Sequence, residues 1–111
     1  MTFPNQITRL AGSVSYATIS ENTAATNEII AAVTSQKIIV LGLILVSAGT
    51  VTVTFKTGST AICGAIPLVA NSGFVMPYAE IGWMQTVAGE ALNLTSDAAV
   101  QVSGLLTYIT E

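Results

Sequence analysis

Histidine is absent from the chain and charge is scarce. Without histidine, Ser–His–Asp and Cys–His catalytic arrangements are excluded, and the usual zinc sites lose their main ligand. Charged residues make up 8% of the 111 positions, against about 25% in an average soluble domain. The three basic residues, Arg9, Lys37 and Lys56, are scattered. Nucleic-acid binding needs several phosphate contacts, so no nucleic-acid partner is expected. A polybasic membrane anchor fails for the same reason. The single cysteine, Cys63 in AICGAI, excludes an internal disulfide framework and reads as a small buried hydrophobe. The longest apolar run, Ile38 to Val46, is far shorter than the ~20 residues of a spanning helix. Met1 to Leu10 carries neither the basic nor the apolar region of a signal peptide, so no membrane partner and synthesis in the cytoplasm are expected.

What is present is β pattern. Lys37 to Phe55 reads KIIVLGLILVSAGTVTVTF. Strict alternation puts Ile38, Val40, Ile44 and Val46 on one face, and Ile39, Leu41, Leu43 and Leu45 on the other, both apolar. After Ser47-Ala48-Gly49, Val51, Val53 and Phe55 alternate with Thr50, Thr52 and Thr54. The pattern predicts a β-hairpin with its first strand buried on both sides and its second on one. Elsewhere Ser13 to Ile19 and Val100 to Ile109 alternate, with Gly104 marking a bulge or a close backbone approach. Ala24 to Val33 is open to strand or helix, and a strand from about Asn27 to Val33 is preferred. Turn clusters recur at 56–60, 71–73, 87–90 and 96–97, and Pro67 confines its segment to an edge, bulge or strand end. The expected architecture is a single all-β domain over residues 13–111, a sandwich or barrel of seven to nine short antiparallel strands, preceded by an extended arm over residues 1–12.

Candidate chemistry is thin. Glu80 and Glu90 are the best carboxylate pair for a glycosidase, and both read as solvated loop acids. Lys56-Thr57-Gly58-Ser59-Thr60 lacks phosphate-loop spacing and reads as a hairpin turn. Asn93-Leu94-Thr95 matches a glycosylation acceptor but reads as strand. No enzyme activity and no cofactor are expected. With 15 threonines and nine serines finishing the surface, the remaining apolar area should meet other protein, which points to an oligomer or assembly component.

Three stretches carry a family resemblance: KIIVLGLILVSAGTVTVTFKTGSTAI, PLVANSGFVMPY and AGEALNLTSDAAVQVSGLLTYI. They resemble small virion proteins of tailed bacteriophages, and among these the capsid decoration (cement or staple) proteins. The resemblance implies a compact, jelly-roll-like β-sandwich on the outer surface of the virion. There it would bind the major capsid protein as a homodimer or homotrimer and bridge neighbouring capsid subunits.

Contact regions follow from the physical reading. The arm would use Phe3, Pro4, Ile7 and Leu10, and the second apolar face would use Ile39, Leu41, Leu43 and Leu45. Tyr78 and Trp83 of the aromatic stretch GFVMPYAEIGWM form a third choice. The alternative is a tail or fibre module that stacks a surface glycan on those rings.

Overall fold

A computed structural model describes residues 14–111. The predicted arm, including Phe3, Pro4, Ile7 and Leu10, lies outside the described residues. Ten strands follow in order: β1 (Ser15–Glu21), β2 (Thr26–Ile30), β3 (Ile38–Ser47), β4 (Val51–Thr57), β5 (Thr60–Ala61), β6 (Ile66–Leu68), β7 (Gly73–Met76), β8 (Met84–Gln85), β9 (Leu92–Ser96) and β10 (Val102–Thr110). The count exceeds the expected seven to nine because two edge segments are each split into short pieces, β5 with β6 and β7 with β8. Residues 24–33 hold a strand, as preferred, although it ends at Ile30.

All pairings are antiparallel. One sheet runs β1-β10-β3-β7, with β8 also on β3, and the other runs β2-β9-β4-β5, with β6 also on β4. From β1 to β4 the chain changes sheet at every step, and β9 and β10 return between the earlier strands. This is the jelly-roll form of the β-sandwich.

The Lys37 to Phe55 segment is therefore not a hairpin. β3 and β4 belong to different sheets. β3 is already bonded to β10 on one side and to β7 and β8 on the other, which leaves β4 no edge to join. Ser47-Ala48-Gly49 is the corner between the sheets. It is tied down by Ser47 N–H to Ser72 O (2.8 Å), Ala48 N–H to Gln101 O (2.9 Å) and the buried Ser47 hydroxyl to Val69 O (2.9 Å). The true hairpin is the next one, where Thr57 faces Thr60 across Gly58-Ser59, as the turn cluster predicts.

The core lies between the sheets. Ile19, Val40, Leu43, Leu45, Val102 and Leu106 come from one side, and Val53, Phe55, Leu92 and Leu94 from the other. The clean alternation of β4 survives intact, with its valines and Phe55 buried and its threonines Thr52 and Thr54 partly exposed. The strand β3 is gripped closely. A β-carbon on Gly104 would stand 1.9 Å from the Ile44 carbonyl oxygen, and one on Gly73 would stand 1.9 Å from that of Leu45. Gly104 thus marks a close backbone approach, one of the two readings its position allowed.

Gly104→Ala is expected to destabilise the fold by about 3 kcal/mol or more, because backbone has to move to admit the methyl. Gly64→Ala, where a β-carbon meets nothing within 4 Å, serves as control and should change stability by under about 0.5 kcal/mol. Urea denaturation of the two variants checks both.

Candidate interaction surface

The candidate surface is set by one register shift. On β3, Gly42 faces Thr107 while Val40 faces Tyr108, so Leu41 is an extra residue with no partner on β10. Such a bulge reverses the inside–outside phase of everything beyond it. Before it, Ile38 and Val40 point into the core and Ile39 and Leu41 point out. After it, Leu43, Leu45 and Ser47 point in and Ile44 and Val46 point out. Leu43 is 4% exposed and Ile44 50%. The expected face of Ile39, Leu41, Leu43 and Leu45 is therefore not one face. Leu43 and Leu45 are core residues, and Ile44 and Val46, read as inward, are on the surface.

Ile39 and Leu41 are outward but covered. With Ile109 and Val14 they form a second, smaller apolar cluster. The loop between β7 and β8 closes over it, anchored by Ala79 N–H to Leu41 O (2.8 Å) and Trp83 N–H to Val40 O (2.7 Å). A β-carbon on Gly82 would reach 2.5 Å from Ile39 Cγ2, so the loop backbone rests directly on that side chain. The loop leaves the sheet at the bulge, since β7 pairs from Leu43 onward and β8 pairs back at Val40 and Ile39.

Beyond the loop the outer face is open. Thr18, Leu105, Ile44 and Val75 lie in one row across four strands, in direct register. Ser20, Ser103, Val46 and Gly73 form the next row, and Tyr16, Thr107 and Gly42 flank the first on its other side. None of these eleven positions is charged. A shallow hollow of about 240 Å³ runs among Ile44, Val75, Pro77, Tyr78 and Leu105. The opposite outer face differs in kind. There Thr26, Thr95 and Thr54 form one row, with a 2.7 Å bond between the Thr26 and Thr95 hydroxyls, and Glu28, Asn93 and Lys56 form the next. One face is finished for water and the other is not.

The aromatic stretch is divided between two places. Tyr78 borders the open face, and its hydroxyl donates to Glu80 Oε1 at 2.6 Å. Trp83, 48% exposed, stands at the side of the sandwich with its indole N–H donated to Pro77 O at 2.7 Å. With Phe55, Ile62, Cys63, Ile66, Phe74, Met76 and Met84 it lines a cleft of about 200 Å³ between the sheets. Cys63 is half-buried there. The two rings therefore do not form one platform. The two candidate acids are also held differently. Glu80 accepts from Tyr78, whereas Glu90 accepts from the buried Thr57 hydroxyl at 2.7 Å, which in turn accepts from Val87 N–H at 2.9 Å.

Of the surface residues, Leu105 was legible as outward from the alternation of β10. Ile44, Val46 and Val75 were missed. The one available signal was Gly42, the sole residue without a side chain inside an otherwise unbroken apolar run.

No protein-family model and no curated protein matches the chain. Among solved structures it is similar to a chain of the disulfide-linked pili formed by Bacillus endospore appendages. The identity is 18%, the TM-score 0.50, and the match covers 88% of this chain and 87% of the other. At that identity the likeness bears on the fold alone. It agrees with the β-sandwich.

Leu43→Ala should lower stability by about 2–5 kcal/mol, and Ile44→Ala by well under about 1 kcal/mol, in denaturant titrations of dilute protein. Equal losses would contradict the phase reversal at Leu41. Burial raises the Glu21 carboxyl above its ordinary value, so its ionised form is disfavoured in the fold. That disadvantage is absent at low pH, where both states are protonated, and grows as pH rises through the raised value. Glu21→Gln should therefore raise the thermal midpoint slightly at about pH 7 and leave it unchanged at about pH 3.

Proposed function

We propose that this protein is a structural virion component that binds the outside of a phage capsid and stabilises it by bridging neighbouring major capsid subunits. The observation that carries the reading is the charge-free, apolar outer face over Leu105, Ile44, Val46 and Val75, set on a rigid sandwich whose other face is polar. Its size fits such a role. Strands about 4.8 Å apart and rows about 6.8 Å apart make a patch of roughly 300–400 Å². A stable isolated interface needs about 800 Å² per partner. A patch of half that size binds weakly once, and firmly when neighbouring copies engage a repeating lattice together. The scarcity of charge and the absence of histidine suit a component whose work is packing.

The glycan-binding alternative has less support. Trp83 is accessible, but the cleft it lines between the sheets holds apolar side chains and the Cys63 thiol, and the hollow on its other side offers a single polar side chain, the Gln85 amide, to receive sugar hydroxyls.

The test is co-purification. Heads isolated from cells making the protein should carry it at a simple fraction of the major capsid protein. Ile44→Lys, folded by circular dichroism, should reduce occupancy by about tenfold or more, since a buried unpaired charge is strongly disfavoured. A handful of copies per particle, or full occupancy by the variant, would overturn the reading.

A further inference from the structure

Each sheet of an open sandwich has two edges, and unprotected edges invite strand pairing. Three of the four edges here are blunted. β2 is five residues long, carries the exposed Glu28, and its pairing slips between Glu28 and Ile30. The β5–β6 edge consists of two- and three-residue pieces and contains Pro67. The β7–β8 edge consists of four- and two-residue pieces interrupted by the loop that begins at Pro77. β1 is the least protected, its one charge being Glu21 at its very end. It is seven residues long, SYATISE, without proline, lysine or bulge, and its register with β10 is unbroken. Among the described residues β10 is its one strand partner.

We infer that β1 is a self-pairing edge: two copies of this chain join β1 to β1, antiparallel, about a two-fold axis at Thr18. The occupant is argued from the strand itself. The register that pairs all seven residues sets Thr18 against its own copy, Tyr16 against Ser20, Ala17 against Ile19 and Ser15 against Glu21. The one charge therefore never opposes itself, and the two Glu21 carboxylates stand about 20 Å apart, beyond the ~10 Å screening length. Such an isologous contact is the commonest form of homo-oligomer. Continuity supports it too. Tyr16, Thr18 and Ser20 continue the uncharged outer face of the β1-β10-β3-β7 sheet, so pairing joins two small faces into one across a continuous sheet. This inference concerns self-association of the free protein and stands or falls apart from the capsid reading.

The experiment is sedimentation velocity on the purified full chain from about 1 to 100 µM, together with amide hydrogen exchange. Wild type is expected to shift from monomer to dimer across that range, with exchange in β1 slowing as concentration rises. Thr18 is exposed, so Thr18→Lys should fold normally while placing two like charges face to face, weakening dimerisation by about tenfold or more. Mixing Thr18→Lys with Thr18→Glu should restore the dimer, a rescue that a folding defect would not give. Ile44→Lys, on the face rather than the edge, should leave the dimer intact. A wild type that stays monomeric throughout, an unrescued mixture, or a dimer lost in Ile44→Lys but kept in Thr18→Lys would overturn the inference.

Discussion

One extra residue on β3 decides what this molecule shows to its surroundings. β3 is bonded on both sides and approached at contact distance by Gly104 and Gly73, so it cannot slide or rotate to suit its side chains. Its inside–outside pattern is therefore imposed by its neighbours. Leu41 has no partner on β10, and from that point the pattern inverts. The same point releases the β7–β8 loop, which folds back to cover Ile39 and Leu41. Bulge, loop and exposed face are consequences of one another. Without the slip, Ile44 and Val46 would lie in the core, and Leu43 and Leu45 would lie outside, beyond the covering loop.

Much of the fold was legible in the chain. Where one face is apolar and the other threonine, as in β4, alternation states the phase outright. Leu105 and Thr107 against Leu106 did the same for β10. Turn chemistry located the Gly58-Ser59 hairpin and the strand ends. What could not be read was β3, for a definite reason. A run apolar at every position obeys either phase, so a one-residue slip inside it leaves no trace in composition. The same run invited a hairpin reading of Lys37 to Phe55. Two adjacent strands joined by a short loop read alike whether they pair with each other or turn a corner between sheets. Only the long-range pairings to β10 and β9 distinguish these cases, and pairings between residues so far apart in the chain are not expressed in local pattern.

The aromatic stretch failed for a related reason. Phe74, Tyr78 and Trp83 are close in sequence but fall on either side of a strand end and a loop. Phe74 faces the interior, Tyr78 the open face and Trp83 the side cleft. Proximity in sequence does not make a binding platform when the chain reverses between the residues. The carboxylates Glu80 and Glu90 illustrate the same point, Glu80 being engaged by Tyr78 of its own loop and Glu90 by Thr57 at the end of β4.

The two outer faces divide the tasks of a small protein with few charges. Threonines, Asn93, Lys56 and Glu28 give one sheet a polar outer face, and the Thr26 and Thr95 hydroxyls bond to each other across strands. The other sheet gives up that protection over a patch too small to hold a partner alone. A patch of this kind is tolerable in a free monomer and still useful in an array, because its weakness limits association in solution while repetition supplies strength on a lattice. On the proposed lattice-binding role, charge scarcity has a physical meaning. A Lys or Glu anywhere in the row from Thr18 to Val75 would have to be desolvated at every contact, and that penalty would multiply with the copies just as the attraction does. If the face is used many times at once, as proposed, it is therefore better left neutral.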